Sequence, residues 1–203
     1  MNRRHLLVSL LALSGGTLSG CGLSERPYLE KRDWPLAVTR PEGGAPGGNP
    51  RGRVLLVRTI QAGPGLEARG LATLQPDGSV KTEFYETWSV PPAEGVEASL
   101  RAWLTASGRF TAVLNPGSRM NADLILESTL TALVADPGKG VARAAMSIVA
   151  LDQRGGATKV AGQRMLTAEA PLNGTDAPAR VAAMRAALGQ VLAQVEAALA
   201  GIG

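Results

Sequence analysis

The 203-residue chain predicts an α+β fold: a two-layer domain of mainly antiparallel sheet with two helices packed on one face. Three observations carry that prediction. Two stretches, near residues 92–107 and 177–200, repeat apolar residues at helical spacing. Eight other segments are short, apolar or alternating, and most are separated by Gly- or Pro-bearing turns. The resulting order is β, β-hairpin, α, β-meander, α, in which strands pair locally and helices stand apart. No repeat of solenoid length interrupts it.

Each element has a local reason. Tyr28–Thr39 carries Tyr28, Trp34, Leu36 and Val38 and reads as a peripheral first strand. Residues 41–50, PEGGAPGGNP, hold four Gly and three Pro and can form neither a helix nor an inner strand. They serve either as a tether or as a long loop after that strand. The folded body is expected to start at Arg53, where Arg53-Val-Leu-Leu-Val-Arg-Thr-Ile60 is apolar on both faces, as a central strand should be. Residues 69–75 and 80–90 flank Pro76-Asp77-Gly78-Ser79, a tight-turn sequence, and predict a hairpin. Period-2 alternation would set Phe84 and Trp88 on one of its faces and Tyr85 on the other.

Pro91-Pro92 stops the second hairpin strand and suits a first helical turn. Val96, Leu100, Trp103 and Leu104 then mark one apolar face, Glu97 and Arg101 form an i,i+4 pair, and Gly108 is a candidate C-cap. Phe110–Leu114 is a short strand. Residues 122–135 alternate as a half-buried strand, turn at Asp136-Pro-Gly-Lys-Gly140, and continue into strands 141–152 and 158–169 joined by Arg154-Gly155-Gly156. Asp176 caps a helix to about Ala200, striped by Val181, Met184, Leu188, Val191, Leu192, Val195 and Leu199.

The chain opens with Arg3 and Arg4, an uncharged run from Leu6 to Gly20, and Leu18-Ser19-Gly20-Cys21. A basic start, an apolar run and a small-residue site make a secretory signal peptide over residues 1–20. The run is too short for a membrane span, which needs roughly 20 apolar residues. Arg3-Arg4 before Leu6-Leu7 also fits a twin-arginine signal, so the export route has two readings. The segment resembles the bacterial lipobox, which implies that the Cys21 thiol is diacylated before cleavage. Cys21 would then be the first mature residue, carrying two or three fatty chains such as palmitate. A single chain binds marginally, at about 0.8 kcal/mol per buried CH₂, whereas several hold a protein on a bilayer almost permanently. Gly22 stands where inner-membrane-retained lipoproteins of enteric bacteria carry Asp, which by the same resemblance favours the outer membrane.

Composition excludes much chemistry. Of 21 basic residues, Arg3 and Arg4 leave with the leader, so 19 face 17 acidic ones in the mature chain. That balance, with aromatics at 3 % and no dense Lys/Arg run, argues against a nucleic-acid partner. The lone histidine, His5, lies in the leader, and Cys21 is the lone cysteine. A mature chain without His or a free thiol cannot support Ser-His-Asp or Cys-His catalysis, His/Cys zinc sites or thiol redox chemistry. Scattered single carboxylates leave no catalytic, metal or cofactor site expected. Asp136-Pro-Gly-Lys-Gly140 lacks the first Gly and the Ser/Thr of a phosphate loop, and Ala62-Gly-Pro-Gly65 lacks its context.

From Arg53 to Leu114 the motifs run in a particular order. A strand leads into Gly63-Pro-Gly-Leu66, then Arg69-Gly, Phe84-Tyr85-Glu-Thr-Trp88, Pro91-Pro92, Leu100 and Leu104, and Ser107-Gly-Arg-Phe110 with Val113. The Y-x-x-W-x-x-P junction followed by a helix and F-x-x-V resembles the ABC-type transport auxiliary lipoproteins, the PqiC-like family. A departure is Gly65-Leu66 where that family commonly has Tyr-Leu. The resemblance covers about 53–200 and implies a domain over 53–203 joined to Cys21 through residues 21–52. It implies a non-catalytic, outer-membrane-anchored component facing the periplasm. Its partners would be an ABC permease and ATPase and a mammalian-cell-entry (MCE) protein, with ATP hydrolysed by a partner. Further copies of the chain, paired through the hairpin at 69–90, and phospholipid bound by the domain are additional partners to consider. The tether and the small α+β plan also suit a structural or regulatory envelope lipoprotein, such as a cell-wall synthase activator or an outer-membrane assembly factor.

Overall fold

The computed structural model describes residues 28–41, 49 and 51–202; the leader, Cys21 and most of the Gly/Pro-rich stretch lie outside the described residues. In chain order the elements are β1 (Arg32–Trp34), β2 (Val54–Val57), β3 (Gln61–Ala62), β4 (Gly70–Leu74), β5 (Val80–Trp88), α1 (Pro92–Ala106), β6 (Ala112–Leu114), β7 (Leu124–Asp136), β8 (Val141–Asp152), β9 (Lys159–Pro171) and α2 (Ala177–Ala200). The class is α+β, as the sequence predicts.

The axis of the sheet is β7. Along one edge it pairs antiparallel with β8 over its whole length, and β8 in turn pairs with β9. Along its other edge three short strands follow one another in parallel: β2 beside Leu124–Leu126, β3 beside Thr129 and Leu130, and β4 at Ala135. β6 lies outside β2, while β5 and β1 lie outside β4. The sheet is therefore mixed: antiparallel in its long ladders and parallel in its short ones. The parallel pairing of β2 with β6 is possible because α1 forms part of the long connection between them.

The predicted caps hold. Pro92 opens α1 in its first turn, and the Ser107 N–H reaches the Trp103 carbonyl at 2.9 Å, with Gly108 following at φ 66°. At α2 the Asp176 carboxylate accepts the Ala179 N–H at 3.0 Å. Every member of the predicted α2 stripe is buried. It packs on a sheet row of Ala142, Ala144, Met146, Ile148 and Ala150, whose small residues let the helix lie close. Val96, Leu100 and Leu104 of α1 enter the same core. The opposite face of the sheet carries the rows Glu127–Val149–Gln163 and Thr129–Ser147–Met165, with Met165 exposed.

Four expectations need correction. The packed body begins near Arg32, well before Arg53: β1 pairs with β5 and Leu36 is in the core. In β7 the half-buried pattern stops at Leu130, because a register shift sets Thr131 aside and Leu133–Asp136 are buried on both faces. The hairpin of β4 and β5 does form, yet Phe84 and Trp88 do not share a face. Leu71 lies opposite four residues of β5, 83–86, so the strand bulges and its side-chain phase resets. Gly70 sits under that bulge, where a Cβ would fall 2.2 Å from the Glu83 carbonyl oxygen. The hairpin's open edge is also shorter than expected: β7 flanks β4 and β1 pairs with Glu86–Trp88, leaving the outer edge of Val80–Tyr85 unpaired among the described residues. Among the described residues the outer edge of the long ladders is β9.

Leu100 is 0 % exposed at the centre of α1. Leu100→Asp should therefore unfold the domain, since an unpaired buried carboxylate costs several kcal/mol. Thermal melting followed by circular dichroism checks this, and an unchanged transition would contradict it.

Candidate functional site

Cys21, the predicted lipidation residue, lies outside the described residues. What the structure shows is how the chain downstream of it is held. Residues 32–40 form a strap sewn to the body side chain by side chain. Glu86 accepts Arg32 Nε at 2.8 Å and Trp34 Nε1 at 2.7 Å. Asp33 accepts Arg69 at 3.0 Å and the Thr87 hydroxyl. The Thr87 hydrogen bond, aided by Arg69 and Lys31, holds the Asp33 carboxyl below its usual range. The Pro35 carbonyl accepts Arg185.

Beyond Pro35 the strap crosses both helices at small residues. Leu36 packs so close over Gly95 that a Cβ there would lie 2.8 Å from the Leu36 Cβ. The Ser99 hydroxyl accepts the Val38 N–H at 3.1 Å. A Cβ added at Gly189 of α2 would meet Val38 at 3.3 Å. The seam ends at Glu196, a carboxylate only 7 % exposed. It accepts Arg40 Nε at 2.9 Å, Trp103 Nε1 at 2.8 Å and Arg109 Nε at 3.1 Å, joining strap, α1 and α2 at one point. Hydrogen bonds from Arg40, then Trp103 and Arg109, hold its carboxyl below the usual glutamate range against the effect of burial.

Arg180 does the same at the other end of α2. It is buried and donates to Thr73 Oγ1 at 2.8 Å and Glu83 Oε1 at 3.2 Å, fixing the helix to the β4–β5 hairpin. Sequence reading passed over both residues, although a signal was present. Arg180, Met184, Leu188, Leu192 and Glu196 recur at i,i+4, so both charges fall on the buried stripe.

The aromatic residues of β5 divide. Trp88 is 1 % exposed and belongs to the core. Tyr85, 44 % exposed, stands outside with Phe84, 74 % exposed, their rings edge to face at 5.0 Å. Among the described residues no group of three His, Cys, Asp or Glu could hold a metal, and no helix is long and apolar enough to cross a membrane. The open face of the sheet holds a groove of about 350 Å³ bordered by Arg58, Gln61, Glu127 and Val149, with Arg58 and Glu127 paired at 2.6 Å.

A family model described as the ABC-type transport auxiliary lipoprotein component matches residues 35–196. This chain belongs to that family. The match begins within the strap, so the strap is part of the family domain. The family is an auxiliary transport component, not a known enzyme family. Among solved structures, a Xanthomonas campestris protein of the family model DUF330 superposes with a TM-score of 0.67 at 21 % identity, covering 79 % of this chain and 90 % of that one. A second, described as an uncharacterized protein, has a TM-score of 0.65 at 15 % identity and covers 84 % of this chain and 99 % of that one. At these identities the likeness is one of fold. No curated protein matches the chain.

Two predictions follow from the seam in this auxiliary lipoprotein. A side chain at Gly95 cannot coexist with the strap, so Gly95→Leu should release residues 28–41 to limited proteolysis while the body persists, despite leucine's better helix propensity by about 1 kcal/mol. Unchanged protection of the strap would refute the packing role. Glu196 has a depressed folded-state pKa, so its ionised form stabilises the fold at neutral pH, and that contribution is lost as pH falls below the ordinary glutamate range. Glu196→Gln should lower stability at neutral pH by about 2 kcal/mol and flatten the acid limb of the urea-stability curve. A limb as steep as that of the unaltered protein would count against this.

Proposed function

We propose that this protein is the lipid-anchored auxiliary subunit of an envelope ABC-type transport system. It is tethered to the outer membrane through acylated Cys21, faces the periplasm and works by protein docking rather than catalysis. The observation that carries the reading is the family match across residues 35–196. The Leu18-Ser19-Gly20-Cys21 motif and Gly22 support the anchor and its membrane. Residues 21–31 then serve as the link from lipid to strap.

The partners best suited to such a subunit are an ABC permease with its ATPase and an MCE-type protein spanning the gap between membranes. With no His or free thiol in its mature body, this subunit contributes position: it holds the far end of the assembly, and ATP is hydrolysed elsewhere. The uncovered sheet face and the β9 edge, where Val160 and Met165 stand exposed, offer the area a docking partner or another copy of the chain needs. Phospholipid carried by the domain would make it a participant in transfer as well as a tether.

Crosslinking in cells tests the role: recovery of a permease or MCE-type protein supports it, and recovery of a penicillin-binding protein in its place moves the protein to cell-wall regulation. Extraction of the purified domain checks for co-purifying phospholipid. For the anchor, Cys21→Ala should leave an uncleaved, unacylated precursor and a null phenotype, read by mass spectrometry and complementation. An active, membrane-released Cys21→Ala protein would refute the acyl tether.

A further inference from the structure

At the lipid-proximal end of the described chain lies a patch that the fold does not use for its own stability. Tyr28 is 90 % exposed and Leu29 59 %, and on the bulged part of β5 Phe84 and Tyr85 are exposed as well, linked to that segment through Lys31. Lys31 stands with its Nζ 5.8 Å from the centre of the Phe84 ring, and among the described residues it forms no ion pair. The β1–β5 pairing, locked by Arg32 on Glu86, keeps the two segments side by side. A run of exposed rings on a secreted domain of this size needs a partner surface.

We infer that Tyr28, Leu29, Lys31, Phe84 and Tyr85 form a membrane-contact site, seated in the headgroup and upper acyl region of the bilayer that holds Cys21. The inference rests on the anchored reading above, because the anchor is what keeps a bilayer at hand. Tyr28 is only seven residues after Cys21, a reach of at most about 25 Å even fully extended. A protein partner must arrive by diffusion, while the bilayer is always within that radius. The side-chain chemistry fits the same occupant. Tyrosine rings partition to the interface with the hydroxyl in water, phenylalanine and leucine enter the acyl boundary, and a lysine ammonium favours anionic headgroups. The site orients the domain; the acyl chains supply the lasting hold.

Hydrogen exchange and vesicle binding together test it. The acylated protein in nanodiscs of phosphatidylethanolamine and phosphatidylglycerol should show slowed backbone exchange at 28–32 and 83–86, relative to the unacylated mature chain in solution. The soluble body used for this comparison, residues 22–203 without the cysteine, retains the whole core, whose members fall between Leu36 and Leu199. It should co-sediment weakly with vesicles of the same lipids. Phe84→Ser with Tyr85→Ser should cut that partition on the order of tenfold, the loss expected from withdrawing a ring from apolar surroundings. Their exposure predicts unchanged melting, and Met120→Ser, exposed elsewhere, serves as the unaffected control. Exchange in nanodiscs equal to that in solution overturns the site. So does a double variant that binds vesicles as well as the parent, or protection at 83–86 that appears only when transporter proteins are added. Mass spectrometry of the mature terminus reads the anchor separately: an unacylated Cys21 with vesicle binding intact would sink the tether and keep the patch.

Discussion

An anchor can position a domain only if the chain between them is fastened down, and here the fastening is the seam of residues 32–40 across β5, α1 and α2. Its close contacts are steric, Leu36 over Gly95 and Val38 beside Gly189, and its end is electrostatic, Arg40 on Glu196. The two act differently. Apolar burial of Leu36 fixes where the strap lies, whereas the charge network holds it there with directional bonds that a shifted strap could not reproduce. Glu196 is shared by the strap, by Trp103 of α1 and by Arg109 after it, so loosening the strap also removes a partner from the helix–helix contact. The strap and the core are thus mechanically one object from Arg32 onward.

That stiffness suits a protein whose mature body has little chemistry to offer. Without imidazole or free thiol, and with several carboxylates engaged by arginines, such as Asp33 by Arg69 and Glu196 by Arg40, such a body would act through shape and location. The fold supplies both. Helices cover one face of the sheet and leave the other as docking area, while β7 carries neighbours along both edges and makes that area rigid. A partly polar, shallowly grooved face with an Arg58–Glu127 pair resembles the mixed polar and apolar surface of a transient partner interface.

The legible parts of the fold were those with strong local periodicity. Both helices, the Asp176 cap, the hairpin turn and the β7–β8–β9 meander follow from spacing and turn residues alone, and the motifs between Arg53 and Leu114 were enough to resemble the family. What stayed hidden depends on contacts distant in sequence. β3 is two residues long and owes its existence to β7, so no local pattern announces it. The strap read as a peripheral strand outside the body because its partners, Gly95 and Gly189, give no local sign of the close contact that Leu36 and Val38 make over them. The β5 bulge arises from a mismatch with β4, which resets the phase on which Phe84 and Trp88 were paired. Arg180 and Glu196 were masked by their own charge: a hydropathy stripe treats them as gaps, although their i,i+4 phase places them inside it.

The bulge and the strap also meet in function. On the proposed anchored reading, acyl chains on Cys21 would confer affinity for a bilayer but no orientation, since a tether seven residues before Tyr28 restricts the body only to within about 25 Å. A second contact on the same rigid object removes that freedom, and it need not be strong. Contacts linked by a short flexible chain see an effective concentration in the millimolar range, so a surface patch of millimolar affinity is already half engaged. Three exposed rings, two of them with tyrosine hydroxyls, a leucine and one ammonium are of that order. A stronger patch would hold the soluble body on any membrane it met during export, whereas a weak one acts only where the anchor has placed it. Weakness at Phe84 and Tyr85 is therefore consistent with their role, and the rigid β1–β5 pairing beneath them converts a modest contact into a defined attitude for the open sheet face.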